Sequence, residues 1–160
     1  MKTYSKFVVG IDPGKSGGLC VIECAAPHRV VTAEKMLDDE SHLVQWLMAH
    51  NTEQCAAVVV EKIPKFAGRA LPAAYLSTLF GNWQFIRGVT LGLSQSKLVD
   101  LSPLRWMNVI VAPDKRDRER ATRKKQLLEV CRKQWPESKW SLATCDAALI
   151  ALAAIRLGLV

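Results

Sequence analysis

Five consecutive apolar residues, Ala56-Ala57-Val58-Val59-Val60, followed at once by Glu61-Lys62, constrain this chain more than any other stretch. The run is too short for an ordinary helix and shows no polar alternation, so it predicts a strand buried on both faces. Such strands lie inside sheets with parallel neighbours and helices on each side. An α/β fold is therefore expected, with Glu61 delivered to the end of a central strand.

The opening stretch repeats this design. Phe7-Val8-Val9-Gly10-Ile11 climbs to Asp12, breaks at Pro13-Gly14, passes Gly17-Gly18 and turns apolar again through Leu19-Cys20-Val21-Ile22. That pattern predicts a strand, a tight turn and a returning antiparallel strand, Gly18 to Cys24. Asp12 has two readings: a turn residue ahead of Pro-Gly, or a metal-binding carboxylate on a stiff support. Glu61 also has two, as the partner of Lys62 or Lys65 or as a second ligand. Were the two strands parallel neighbours, both acids would emerge on one edge and repel each other unless a proton or cation lay between them. A hard divalent cation suits such oxygen donors.

The remaining segments supply the other layers. Val30 to Met36 predicts a third strand after a turn at Ala26-Pro27-His28. Asp38-Asp39-Glu40-Ser41 caps a helix whose apolar face is Leu43, Val44, Leu47 and Met48. Lys62 to Pro72 reads as a loop beside the site, carrying Lys62, Lys65 and Arg69. A helix is expected from Ala73 to about Val89, closed by Gly92, and a strand over Lys97–Leu101. Leu104–Met107 begins a short irregular or helical piece. Asp114 to Lys125 is the densest charge run and leads into a helix with Leu127, Leu128, Cys131 and Trp135 on one stripe, stopped by Pro136. The last helix is apolar on nearly every side from Ala147 onward. Asp146 stands near its head, either as an ordinary acid favoured by the helix dipole or as a third ligand.

Residues 1–160 read as one domain, and 49% hydrophobic residues are too many for a disordered chain. No apolar run reaches the length of a membrane span, and the N-terminus has no secretory pattern. The five cysteines, Cys20, Cys24, Cys55, Cys131 and Cys145, are scattered without a CxxC pair. That argues against a disulfide framework or a zinc site. The expected location is cytoplasmic, in a bacterial or phage-infected cell, or an organelle matrix. A formal net charge of +7 suggests a polyanionic partner, nucleic acid first.

With three acids each punctuating a core element, the chain resembles the RuvC family of Holliday-junction resolvases, of RNase H-like fold, in its phage and chloroplast branch. The residues that carry the resemblance are Gly10-Ile11-Asp12-Pro13-Gly14 with Ser16-Gly17-Gly18, Val60-Glu61-Lys62, Ser102-Pro103-Leu104-Arg105-Trp106, Lys124-Lys125 ahead of Trp135-Pro136, and Asp146-Ala147-Ala148-Leu149-Ile150-Ala151. The resemblance implies a mixed five-stranded sheet flanked by helices. It implies Mg²⁺, replaceable by Mn²⁺, held by Asp12, Glu61 and Asp146, with Lys125 beside the scissile phosphate. It also implies a homodimer built on the helix from Ala73, and four-way DNA junctions as substrate. Lys15, Lys62, Lys65, Arg69, Arg105, Arg123 and Lys124 are the cations expected to meet DNA. Two departures stand out. The family's fourth acid falls at Ala143 or Ser141, and the branch's Trp-Lys pair is here Trp106-Met107. The rival readings are a RuvX-like RNA-processing nuclease, a junction-binding protein impaired in cutting, and an actin-like kinase suggested by the Asp12-Pro13-Gly14 loop.

Overall fold

A computed structural model of the protein describes residues 6–63, 72–93 and 95–160. Strands β1 (Phe7–Asp12), β2 (Gly18–Glu23) and β3 (Val30–Lys35) form an antiparallel meander. Helix α1 (Glu40–His50) returns the chain to β4 (Cys55–Glu61), and α2 (Ala73–Leu93) leads to β5 (Lys97–Leu101). Three helices follow: α3 (Pro103–Ile110), α4 (Arg120–Gln134) and α5 (Leu142–Arg156). The sheet order is β3-β2-β1-β4-β5, with β4 parallel to both β1 and β5. The mixed five-stranded sheet is the one expected, and the all-apolar run occupies an interior strand with two parallel neighbours.

Side chains alternate across a strand, so each strand feeds two cores. Val8 on β1, Cys20 and Ile22 on β2, and Ala57 and Val59 on β4 pack with α3, α4 and α5. Val9, Ile11, Leu19, Val21, Val58 and Val60 pack with Leu43, Trp46 and Leu47 of α1 and Ile86 of α2. Asp12 has the parity of Val8, and Glu61 that of Ala57 and Val59. The alternation therefore assigns both acids to the face covered by α5.

Helix α5 lies directly on β1 and β2. A Cβ added at Gly10 would stand 2.1 Å from the Ala147 carbonyl oxygen, and one at Gly18 would stand 2.4 Å from that of Ala143. Glycine on the sheet and alanine on the helix thus let the two backbones meet. Leu149, Ile150 and Leu152 are fully buried beneath this contact, each worth about 1.5–3 kcal/mol relative to exposure. Ser141 caps the helix, its hydroxyl accepting from the Thr144 N–H at 3.2 Å in a reciprocal capping box.

Two local expectations change, and a third, left between irregular and helical, resolves to helix. Helix α1 buries Trp46 with Leu43 and Leu47 and leaves Met48 55% exposed. The Trp46 indole donates to Glu34 Oε1 at 3.0 Å, and this turns the helix's buried stripe. Helix α2 continues through Gly88 and Gly92 to Leu93. Glycine stops a helix when it takes positive φ, and among the described glycines only Gly158 does so. Residues 103–110 are a full helix, started by Pro103 in its first turn after Ser102 and anchored by buried Trp106.

Candidate active site

The parallel register pairs Ile11 with Val60, which sets Asp12 and Glu61 at adjoining strand ends. The turn after β1 closes tightly over Asp12. The Gly17 N–H donates to the Gly14 carbonyl at 2.8 Å, and the Gly14 N–H donates to Asp12 Oδ1 at 3.3 Å. A Cβ at Gly17 would lie 2.2 Å from the Asp12 carbonyl oxygen, so the second glycine of the motif is a steric requirement. Glu61 is fixed from the other side, where Trp106 Nε1 donates to Glu61 Oε2 at 2.6 Å.

Asp146 approaches from the first turns of α5. The three acids line one cavity of about 520 Å³, together with Gly14, Ser16, Ile63, Pro72, Tyr75, Leu79, Arg120 and Lys124. Burial raises the Asp12 carboxyl to about 6; the Asp146 charge adds to the rise, while the Gly14 N–H and Lys124 oppose it. Burial and then the Asp12 charge raise Glu61 to about 8, against the Trp106 N–H and Lys124. Asp146 is raised by burial and held back first by Lys124, then by the Cys145 S–H donating to it, then by Arg120 and Arg123. These are acids whose negative charge is poorly compensated.

That deficit fits a hard divalent cation in kind, because the donors are all carboxylate oxygens. Among the described residues, no group of three or more His, Cys, Asp and Glu side chains stands ready to enclose a metal ion. The acids share a cavity rather than a finished coordination shell. The raised pKa values predict a pH effect. A carboxyl that binds its proton more tightly when folded stabilises the fold below its unfolded pKa, and that contribution is lost as pH rises through the folded value. Without divalent cations, the melting temperature should fall between about pH 5 and pH 8, and Mg²⁺ should restore part of the loss at pH 8. Melts by circular dichroism across that range, with and without Mg²⁺, check this.

The cations do not all gather here. Lys124, half-buried, lines the cavity and Lys125 does not. The lysine beside the acids is thus the preceding one, because a one-residue step on a helix turns the side chain by about a quarter of a turn or more. Arg120, one turn earlier on the same face, lines the cavity too and was not foreseen; its spacing from Lys124 was the available signal. Arg123 is committed to its own loop, donating to the carbonyls of Asp117 at 3.4 Å and Arg118 at 3.0 Å. Lys15 is exposed and lines a separate cleft with Thr78, Asn82 and Phe85 of α2. Lys62 follows Glu61 and is exposed, as is Arg105 on α3. Lys65 and Arg69 lie outside the described residues, as does most of the Lys62–Pro72 loop. Trp106 ends the Ser102–Trp106 motif, and its bond to Glu61 has no counterpart in the sequence pattern.

No family model matches this sequence, and no curated protein does. Solved structures match over nearly its full length. RuvC of Thermus thermophilus shares 17% identity, with 95% of this chain and 96% of that chain covered and a TM-score of 0.67. The same protein in complex with a Holliday-junction substrate gives 16% identity, 96% coverage of each chain and a TM-score of 0.66. The Fowlpox virus resolvase, solved with substrate Holliday-junction DNA, gives 14% identity, covers 96% of this chain and 99% of that one, and has a TM-score of 0.58.

This chain has the RNase H-like fold of RuvC.

Within that RuvC-type fold, neither position open to a fourth acid holds one. Ser141 is occupied as the cap of α5, and Ala143 turns its carbonyl toward Gly18. Met107, where the branch has lysine, packs half-buried against the core. Among the described residues, no helix is long and apolar enough to cross a membrane.

Proposed function

We propose that this protein is a structure-specific endonuclease that cuts four-way DNA junctions by metal-dependent phosphodiester hydrolysis, acting as a homodimer. One observation carries the reading: Asp12, Glu61 and Asp146, from β1, β4 and α5, line one cavity together with Arg120 and Lys124. Three acids and two cations lining one cavity suit a phosphodiester drawn in by the cations, its charge offset by metal. Similar folds solved with Holliday-junction DNA support the choice of substrate.

Asp12, Glu61 and Asp146 would hold Mg²⁺ or Mn²⁺, which when bound activates water and stabilises the leaving oxygen. Asp12 stands at the end of the central strand, held by its own turn. Lys124 and Arg120 balance charge developing on the phosphate, Lys124 in the role the family resemblance implies for Lys125. The exposed cations Lys15, Lys62 and Arg105, with Lys65 and Arg69, extend the DNA contact by neutralising phosphates. The face of α2 bearing Gly81, Gly88 and Gly92, with open space beside each glycine, suits close approach of a second copy. A junction of near two-fold symmetry calls for such a two-fold dimer.

A supercoiled plasmid with an extruded cruciform tests all of this. Paired nicks by a dimer linearise it in Mg²⁺ and leave it intact in EDTA. Relaxed circles alone would contradict paired cutting, and equal cutting of plain duplex would contradict junction specificity. The positions of Ala143 and Ser141 favour a second reading, junction binding with impaired cutting. Tight junction binding with no product in Mg²⁺ or Mn²⁺ would establish it.

A further inference from the structure

The hydrogen bond between Trp106 and Glu61 joins a buried indole to an acid of the cavity. Trp106 is 2% exposed on α3, which begins directly after β5. The end of β4 is tied to that root, since Glu61 pairs with Leu101 and the Lys62 N–H donates to the Leu101 carbonyl at 3.0 Å. The indole is therefore held in fixed relation to the strand carrying Glu61. Trp106 Nε1 stands 2.6 Å from Glu61 Oε2, so this oxygen is taken by the indole. The N–H groups of Trp135 and Trp140 go to main-chain carbonyls of His28 and Trp135, and that of Trp46 to Glu34, which does not line this cavity.

We propose that Trp106 is a positioning residue for Glu61: its indole N–H occupies Oε2 and so leaves Oε1 as the oxygen offered to a divalent cation in the cavity. This rests on the reading of the three acids as metal ligands. A carboxylate free to rotate must be ordered when the ion arrives, whereas one already held loses little freedom. Hydrogen-bond partners of metal ligands are typically worth 10–100-fold in metal affinity.

The test measures Mn²⁺ binding without DNA, from loss of the free-ion electron paramagnetic resonance signal. The proteins are the wild type, Trp106→Phe, Glu61→Gln and the double variant. Trp106→Phe keeps an aromatic ring and removes the donor, and it should weaken Mn²⁺ binding by about 10-fold or more. In the Glu61→Gln background the same change should add little, because its action passes through Glu61. Wild-type affinity in Trp106→Phe, or a full additional loss in the double variant, overturns the proposal. A wild type that takes up no Mn²⁺ overturns the metal reading itself, and this proposal with it. Should Trp106→Phe fail to fold by circular dichroism, benzothienylalanine at position 106, an isostere without the N–H, carries the same comparison.

Discussion

Asp12→Asn is expected to abolish junction cleavage while binding is retained or strengthened. Asparagine keeps an oxygen to accept the Gly14 N–H, so the turn over position 12 survives. What disappears is a negative charge in a cavity already short of positive charge, and with it a ligand. Loss of a single preorganised electrostatic group in an active site costs about 100-fold or more, and Asp12 ends the central strand of the sheet. Removing an anion that faces phosphates favours DNA binding, most clearly at low salt. Cleavage assays in Mg²⁺ alongside mobility-shift titrations check both halves. Cutting at the wild-type rate would remove Asp12 from the chemistry.

The second large effect is structural. Gly10→Ala drives a methyl group into the Ala147 carbonyl oxygen, and also to 2.8 Å from the Ala151 Cβ and 2.9 Å from its nitrogen. These are mainly backbone atoms of one rigid helix, so no single rotamer change relieves the clash; α5 must lift from the sheet. Overpacking of this kind costs about 3 kcal/mol, the upper part of the usual range, which lowers the melting temperature by roughly 6–12 °C in a domain of this size. The same displacement carries Asp146 away from Asp12, so activity should fall even at temperatures where the variant remains folded. A calorimetric melt and a cleavage assay at 20 °C or so separate the two effects. An unchanged melt would show that the helix does not rest on Gly10 in solution.

Much of the site was legible from residue order because it depends on strand periodicity. A continuous apolar run ending in an acid is buried on both sides and can face the acid only at its end. The two-residue alternation of β1 and β4 then decides which side Asp12 and Glu61 take. The helix positions were harder. The expected stripe on α1 included Met48, and the molecule instead buries Trp46, whose bond to Glu34 on another element sets the helix rotation. The same difficulty separates Lys124 from Lys125, since both fit a charge run and only packing of Leu127 and Cys131 fixes the phase of α4.

Local patterning, which acts over a few residues through sterics and solvation, was enough to specify the strands, the glycine turn and the element ends at which the three acids stand. Tertiary packing alone decided that α5 sits against Gly10 and Gly18, that Lys124 and Arg120 reach the cavity, and that Trp106 grips Glu61. Those contacts join residues distant in the chain, and a hydrogen bond from 106 to 61 leaves no periodic trace along it.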